Sequence, residues 1–190
     1  MELKEFFKRP RPQPTKDGVF IVSSVELVQQ GLSYFIEKGI IDTTKWFCDA
    51  GCGDGRIVVL TASQFGIPSL GVESDPDIVK KAVDNIEYFH KKEQFKVPAN
   101  IVMGNFVNKE TYIKGKVNFN EIKTFFNYVN NHELLAKKIA EESPPGTILL
   151  IYDSEPNPKD FSGLKFLETK KVPIGWEISA DYYFHVYENI

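Results

Sequence analysis

The sequence predicts an α/β protein, with an open and mostly parallel sheet covered by helices on both faces. Three observations carry that expectation. Short apolar runs recur at 46–49, 70–73, 100–103, 123–128 and 147–152, each with the length and character of a strand buried on both sides. Amphipathic helical segments separate most of them, and alternating strand and helix is the pattern that builds a parallel sheet. A glycine-rich turn, Asp49-Ala50-Gly51-Cys52-Gly53-Asp54-Gly55, joins the first run to the helix behind it.

In chain order, residues 1–16 are polar, hold Pro10, Pro12 and Pro14, and carry Lys4, Lys8, Arg9, Arg11 and Lys16. They are expected to form a basic arm that is mobile or lies on the surface, available to an acidic partner or simply solvated. Residues 17–190 form a single domain. Ser23-Ser24-Val25-Glu26 reads as a capping box with Ser23 as N-cap, and the helix runs over 25–37 until Gly39 ends it. The first strand then enters the glycine loop, followed by a helix over 56–65. The second strand leads to a helix with Pro76 in its first turn, running to about residue 90. The third strand is 100–103 and the fourth is 123–128, with a helix near 132–142 behind it. Pro144-Pro145-Gly146 turns the chain into the fifth strand. Two further strand-like runs, 166–172 and 182–187, have no clear helix between them. They are expected to pair antiparallel at the sheet edge.

Composition narrows the function classes. At 190 residues the chain suits one domain, and 42% hydrophobic with 13% aromatic residues argues against a disordered chain. A net charge of −3 excludes a global basic field that would hold nucleic acid. The cysteines, Cys48 and Cys52, are too few for a disulfide framework or a four-ligand zinc site, and His90, His132 and His185 lack ligand spacing, so no metal is expected. No apolar run approaches the roughly 20 residues that span a membrane. The first residues lack a signal-peptide core, so a reducing, cytoplasmic setting is expected.

The glycine loop carries the chemistry. Glycines allow unusual backbone angles and let a ligand approach the main chain, while the helix start offers unpaired N–H groups. A dinucleotide fingerprint needs Gly-x-Gly-x-x-Gly, and its third glycine would fall at Arg56. Asp49 and Asp54 would also repel a pyrophosphate. S-adenosylmethionine instead brings a cationic ammonium and sulfonium, which an acidic loop attracts. Glu73, ending the second strand, is placed to accept from both ribose hydroxyls.

From about residue 20 onward, these residues resemble the class I (Rossmann-like) S-adenosylmethionine-dependent methyltransferases. Residues 49–55 look like their first motif and Val72-Glu73 like their second, while Pro144-Pro145-Gly146 looks like the approach to their fifth strand. The resemblance implies a three-layer αβα fold with a mostly parallel, seven-stranded sheet and an antiparallel C-terminal hairpin. It implies donor contacts from Asp49, Gly51, Gly53 and Glu73. It places Asn105 at the adenine amine, where the family commonly has an acid, and Phe106 against the ring; both also read as turn and core residues. The family's acceptor contacts follow the fourth strand, here Phe126-Asn127-Tyr128-Val129-Asn130-Asn131. Those prolines of Asn-Pro-Pro-Tyr that mark enzymes of the adenine amine are absent.

A narrower resemblance is to the small archaeal-type protein lysine methyltransferases. Phe20-Ile21-Val22-Ser23-Ser24 looks like their Phe/Tyr-Val-Pro-Thr-Pro segment, with Val22 and Ser24 in place of the prolines and Ser23 near the donor carboxylate. Gly53-Asp54-Gly55-Arg56-Ile57 matches their extended first motif, and Ile174-Gly175-Trp176 looks like the Gly-Trp between their last strands; Trp176 reads as a plug between hairpin and sheet or as a flank of the acceptor cleft. The resemblance implies methylation of lysine on a protein, with Asn127 orienting the amine and the Tyr128 face holding it. Tyr128 as core packing and Asn127 as a strand cap are equally open. Methylation of RNA or a small molecule, and a non-catalytic scaffold that binds the donor, are the alternatives.

Overall fold

The computed structural model describes residues 3–7, 13–15, 18–129, 131–172 and 181–190. Asn130, the segment around Trp176, and Lys8, Arg9, Pro10, Arg11, Pro12 and Lys16 of the N-terminal arm lie outside the described residues.

A seven-stranded sheet forms the middle layer. It comprises β3 (Trp46–Ala50), β4 (Ser69–Glu73), β5 (Ala99–Met103), β6 (Ile122–Tyr128), β7 (Ile148–Asp153), β8 (Leu164–Val172) and β9 (Tyr182–Asn189), in the spatial order β5-β4-β3-β6-β7-β9-β8. The pairs β5-β4, β4-β3, β3-β6 and β6-β7 are parallel, while β9 lies antiparallel between β7 and β8. The C-terminal antiparallel pair is therefore as expected, with β8 at the edge. A separate two-stranded hairpin, β1 (Gln13–Thr15) with β2 (Gly18–Phe20), precedes the seven-stranded sheet and has no counterpart in the sequence expectation.

Both faces of the sheet are buried, and the period-two alternation of a strand explains how. In β3, Phe47 points into one core while Cys48 and Ala50 point into the other; in β6, Phe126 and Phe125 divide in the same way. The first core is covered by α2 (Val25–Glu37), α3 (Arg56–Gln64) and α4 (Pro76–Glu93). The second is covered by α5 (Lys109–Lys114) and α6 (His132–Glu142). Three layers result. Among the described residues no helix is long and apolar enough to cross a membrane.

Two local expectations are corrected. The N-cap of α2 is Ser24, whose hydroxyl accepts from the Leu27 N–H at 3.4 Å, one residue later than the capping box at Ser23 implies. Ser23 is not the cap because its backbone is held by another element, described below. Residues 3–7 are also no surface arm. Leu3 and Phe6 belong to α1 (Leu3–Phe6), and Leu3 and Phe7 are 8% and 6% exposed in the first core. Phe6 stacks on Tyr88 and meets Phe89 edge-on, with centroids at 5.0 and 4.8 Å. Burying three large apolar side chains outweighs the charges of Lys4 and Glu5, which stay on the exposed side.

Gly31 sits in the middle of α2, where alanine would ordinarily raise helix stability. A Cβ there would run into the Phe184 ring. That ring is fully buried and flanked by Phe35, Phe126 and Tyr152, so it has no free space to retreat into. Gly31→Ala is therefore expected to destabilise the fold by about 1–3 kcal/mol, read as a lower denaturation midpoint; a raised midpoint would contradict this packing.

Candidate functional site

The strand order reverses between β3 and β6, and at such a switch point the flanking loops separate and leave a crevice at the carboxyl ends of the strands. A cleft of about 370 Å³ lies there. Ser23, Asp49, Gly51, Gly53, Glu73, Asn105, Phe106, Asn127 and Tyr128, all the positions singled out from sequence, line it.

The loop after β3 is built by backbone conformation. Gly51, Gly53 and Gly55 have φ of 88°, 54° and 78°, a region that favours glycine. The N–H groups of Gly51 and Cys52 donate to the Val72 carbonyl, anchoring the loop to the end of β4. Glu73 completes the frame. One carboxylate oxygen accepts from Gly53 N–H at 3.1 Å, and the other accepts from the N–H groups of Ser74 and Asp75 at 2.7 and 3.0 Å. Its side chain is thus fixed on the cleft wall.

The charges do not distribute as the loop sequence suggests. Asp54, expected to attract a cation, is already paired: Arg56 Nε and Nη2 donate to its two oxygens at 2.9 and 2.7 Å. Arg56 Nη1 donates to the Ser23 carbonyl at 3.1 Å, which is why Ser23 is drawn off the α2 cap and onto the loop. Asp75 caps α4 by accepting from Asp77 and Ile78. Asp49 forms no ion pair among the described residues. It is 3% exposed, and burial, then Glu73 and Asp54, hold its carboxyl well above the usual carboxylate range. A cation entering beside it would relieve both the burial and the repulsion.

On the far side, Asn127 is 1% exposed; its Nδ2 donates to the Ala50 carbonyl, and its Oδ1 has no partner among the described residues. Tyr128 is half-buried, its ring centroid 5.0 Å from Tyr152 and its hydroxyl 3.4 Å from that of Tyr182. Packing and cleft lining are thus both served by Tyr128. Asn105 makes the turn: its Oδ1 accepts from Val107 N–H at 3.0 Å, leaving one lone pair on that oxygen. Phe106 packs against the second core and lines the cleft.

Sequence reasoning missed Arg56 as a site residue, although its spacing of two from Asp54 was a legible signal. It also missed Val129, which lines the cleft with φ of 73° and is 42% exposed. Nothing in the sequence marks a valine for a left-handed backbone. Among the described residues no group of three or more His, Cys, Asp or Glu is arranged to hold a metal.

No family model matches the chain. A protein-lysine N-methyltransferase from Saccharolobus islandicus (strain REY15A) is 33% identical over 116 residues, 59% of this chain and 66% of that protein. A histone-lysine N-methyltransferase, H3 lysine-79 specific, from Dictyostelium discoideum is 34% identical over 61 residues, 32% of this chain and 3% of its own length. The chain therefore spans under two thirds of either relative. Among solved structures, an RNA methyltransferase from Salinibacter ruber in complex with S-adenosyl-L-homocysteine superposes with a TM-score of 0.57 at 22% identity, covering 84% of this chain and 90% of that one.

The left-handed valine generates a test. A β-branched residue in that region carries about 1–3 kcal/mol of strain, and this one is too exposed to recover it by burial. Val129→Gly is expected to raise stability by about 1 kcal/mol after the added freedom of the unfolded chain is subtracted, read by denaturant titration. Lower stability would mean the backbone there is unstrained.

Proposed function

From the class I S-adenosylmethionine-dependent methyltransferase fold that this chain has, we propose that it is an enzyme that transfers a methyl group from S-adenosylmethionine to the side-chain nitrogen of lysine on a protein, working in the cytoplasm. The observation that carries the reading is the polarity of the cleft. Its described walls hold Asp49, Asp54, Glu73 and Asp75 against one cation, Arg56, and that cation is already engaged by Asp54. Such a surface draws cationic ligands and repels a phosphate backbone. The lysine methyltransferase relatives, aligned over part of their length, support the same acceptor.

The residues present fit the donor. Asp49 lies buried without a counter-cation, Glu73 is held in place to accept from hydroxyls, and bare backbone at Gly51 and Gly53 leaves room beside them. Ser23, Asn105 and Phe106 complete its wall. When bound, S-adenosylmethionine supplies an electrophilic methyl group on a cationic sulfur. The chain's own work is to bind, orient and exclude water. Asn127 Oδ1 accepts an N–H of the incoming amine, which must arrive deprotonated so that its lone pair is free. The Tyr128 ring lies along the amine's approach.

Tritiated methyl donor incubated with the protein, with cell protein extract and with RNA tests the reading. Label is expected in protein, on lysine. Label in RNA or in a small molecule would replace the acceptor, and tight donor binding without any transfer would make the chain a scaffold. Asn127→Ala is expected to lower turnover by roughly 10- to 100-fold, the loss of a hydrogen bond to the reacting amine, with donor affinity nearly unchanged.

Asp49 gives binding a pH signature. Its carboxyl titrates high in the free protein, and a bound ammonium favours the ionised form, so binding lowers its pKa and releases a proton. Affinity for S-adenosylhomocysteine is therefore expected to be full above the raised pKa of the free protein and to fall as pH drops through it. Adenosine, which lacks the ammonium, should show far less of this slope in calorimetry; equal slopes would remove Asp49 from the ammonium site.

A further inference from the structure

We infer that Phe7 is a positioning residue for the donor site, bracing the Arg56 guanidinium that ties the glycine loop to the segment before α2. The inference rests on the proposed reading that the cleft binds S-adenosylmethionine. Phe7 does not line the cleft, and nothing in the sequence links it to the loop.

The geometry runs through one cation. Arg56 is 3% exposed, and a cation taken so far from water must be compensated on every side. Its edge is spent on the Asp54 carboxylate and the Ser23 carbonyl. The guanidinium carbon lies over the Phe7 ring, 5.3 Å from its centroid, inside the range in which a ring face attracts a cation. Phe7 is itself held from behind, stacked on Phe89 at 5.5 Å and edge-on to Phe6 at 5.0 Å. α1, the segment before α2, the glycine loop and α4 thus converge on Arg56, with Asn85 of α4 also donating to the Asp54 carbonyl at 2.9 Å.

Both groups that Arg56 holds belong to the cleft wall: Ser23 on one element, Asp54 on another. Their separation is set by the guanidinium between them. Removing the ring opens the cation's face to water, raises the local dielectric, and weakens both attachments together. Ser23 and the loop are then free to drift apart, and the donor pays to bring them back. Phe7 therefore acts on donor affinity through Arg56 and leaves the chemistry of the acceptor side alone.

The test uses the full chain and S-adenosylhomocysteine in calorimetry. Phe7→Leu, which keeps apolar bulk and loses the ring face, is expected to weaken binding by roughly three- to tenfold. Phe7→Tyr should bind within about twofold of the parent. Phe89→Leu is the control for packing, because Phe89 backs Phe7 without facing Arg56: it should lower the denaturation midpoint and weaken binding by less than Phe7→Leu does. Should Phe7→Leu fail to fold, pentafluorophenylalanine at position 7 keeps the shape while reversing the polarity of the ring face, and it should weaken binding as the leucine would. Unchanged affinity in the leucine or fluorinated variant, or equal loss in Phe89→Leu, overturns the inference. Absence of binding by the parent chain would instead overturn the donor reading itself.

Discussion

A buried guanidinium organises this molecule's cleft. Arg56 opens α3 directly behind the glycine loop, and its desolvated charge demands partners from wherever the chain passes. Asp54 supplies the carboxylate, Ser23 a carbonyl and Phe7 a ring face. One consequence is structural: the glycine loop and the segment before α2, 33 residues apart in sequence, become a single wall. The other is electrostatic. Because Arg56 neutralises Asp54, the negative character left to the cleft resides in Asp49 and Glu73, deep at the strand ends, and not at the loop's outer turn.

That inner pair is placed by the sheet. β3 and β4 run side by side in parallel register, with Asp49 opposite Gly71 and Ala50 opposite Val72. Their carboxyl ends therefore bring Asp49 and Glu73 to the same edge. Two carboxylates so close would repel, and the structure absorbs the conflict unequally. Glu73 is held by three backbone N–H groups, one on one oxygen and two on the other, which leaves it room to accept one more. Asp49 has no ion-pair partner among the described residues, and burial holds its carboxyl well above the usual range. One acid is fixed by backbone hydrogen bonds and the other is buried without an ion-pair partner among the described residues, so the cleft is asymmetric along its length.

The strands, the three-layer arrangement and the C-terminal antiparallel pair were legible because burial on two faces leaves long apolar runs, and a glycine loop after a strand is hard to mistake. Less was legible where two local rules compete. Ser23 and Ser24 both qualify as N-caps, and the choice fell to a contact 33 residues away through Arg56. Residues 3–7 carry charge and precede prolines, so composition speaks for a surface arm, yet Leu3 joins the first core and Phe6 and Phe7 find a seat on Tyr88 and Phe89 of α4 that only the fold creates. Asp54 looked like a ligand-facing acid because sequence gives a charge without its partner. α5 escaped notice because six residues are too few for a helical period to declare itself.

Asn127 shows how a neutral side chain acquires a polarity. A carboxamide presents a donor at one end and an acceptor at the other, and free rotation would make either available. Here the choice is forced: the neighbour on the sheet side is the Ala50 carbonyl, an acceptor, so Nδ2 must face it and Oδ1 must face away. The reverse orientation would set two carbonyl oxygens against each other. Oδ1 is buried and unpaired among the described residues, which costs roughly 1–3 kcal/mol unless a donor arrives. A carboxylate or thiolate brings only lone pairs and would meet repulsion at that oxygen. An amine brings N–H groups, satisfies it, and in doing so has its remaining lone pair aimed elsewhere. On the proposed reading, the preference for nitrogen over oxygen or sulfur as methyl acceptor thus follows from a hydrogen bond made on the other side of the same side chain, to the strand that also carries Asp49.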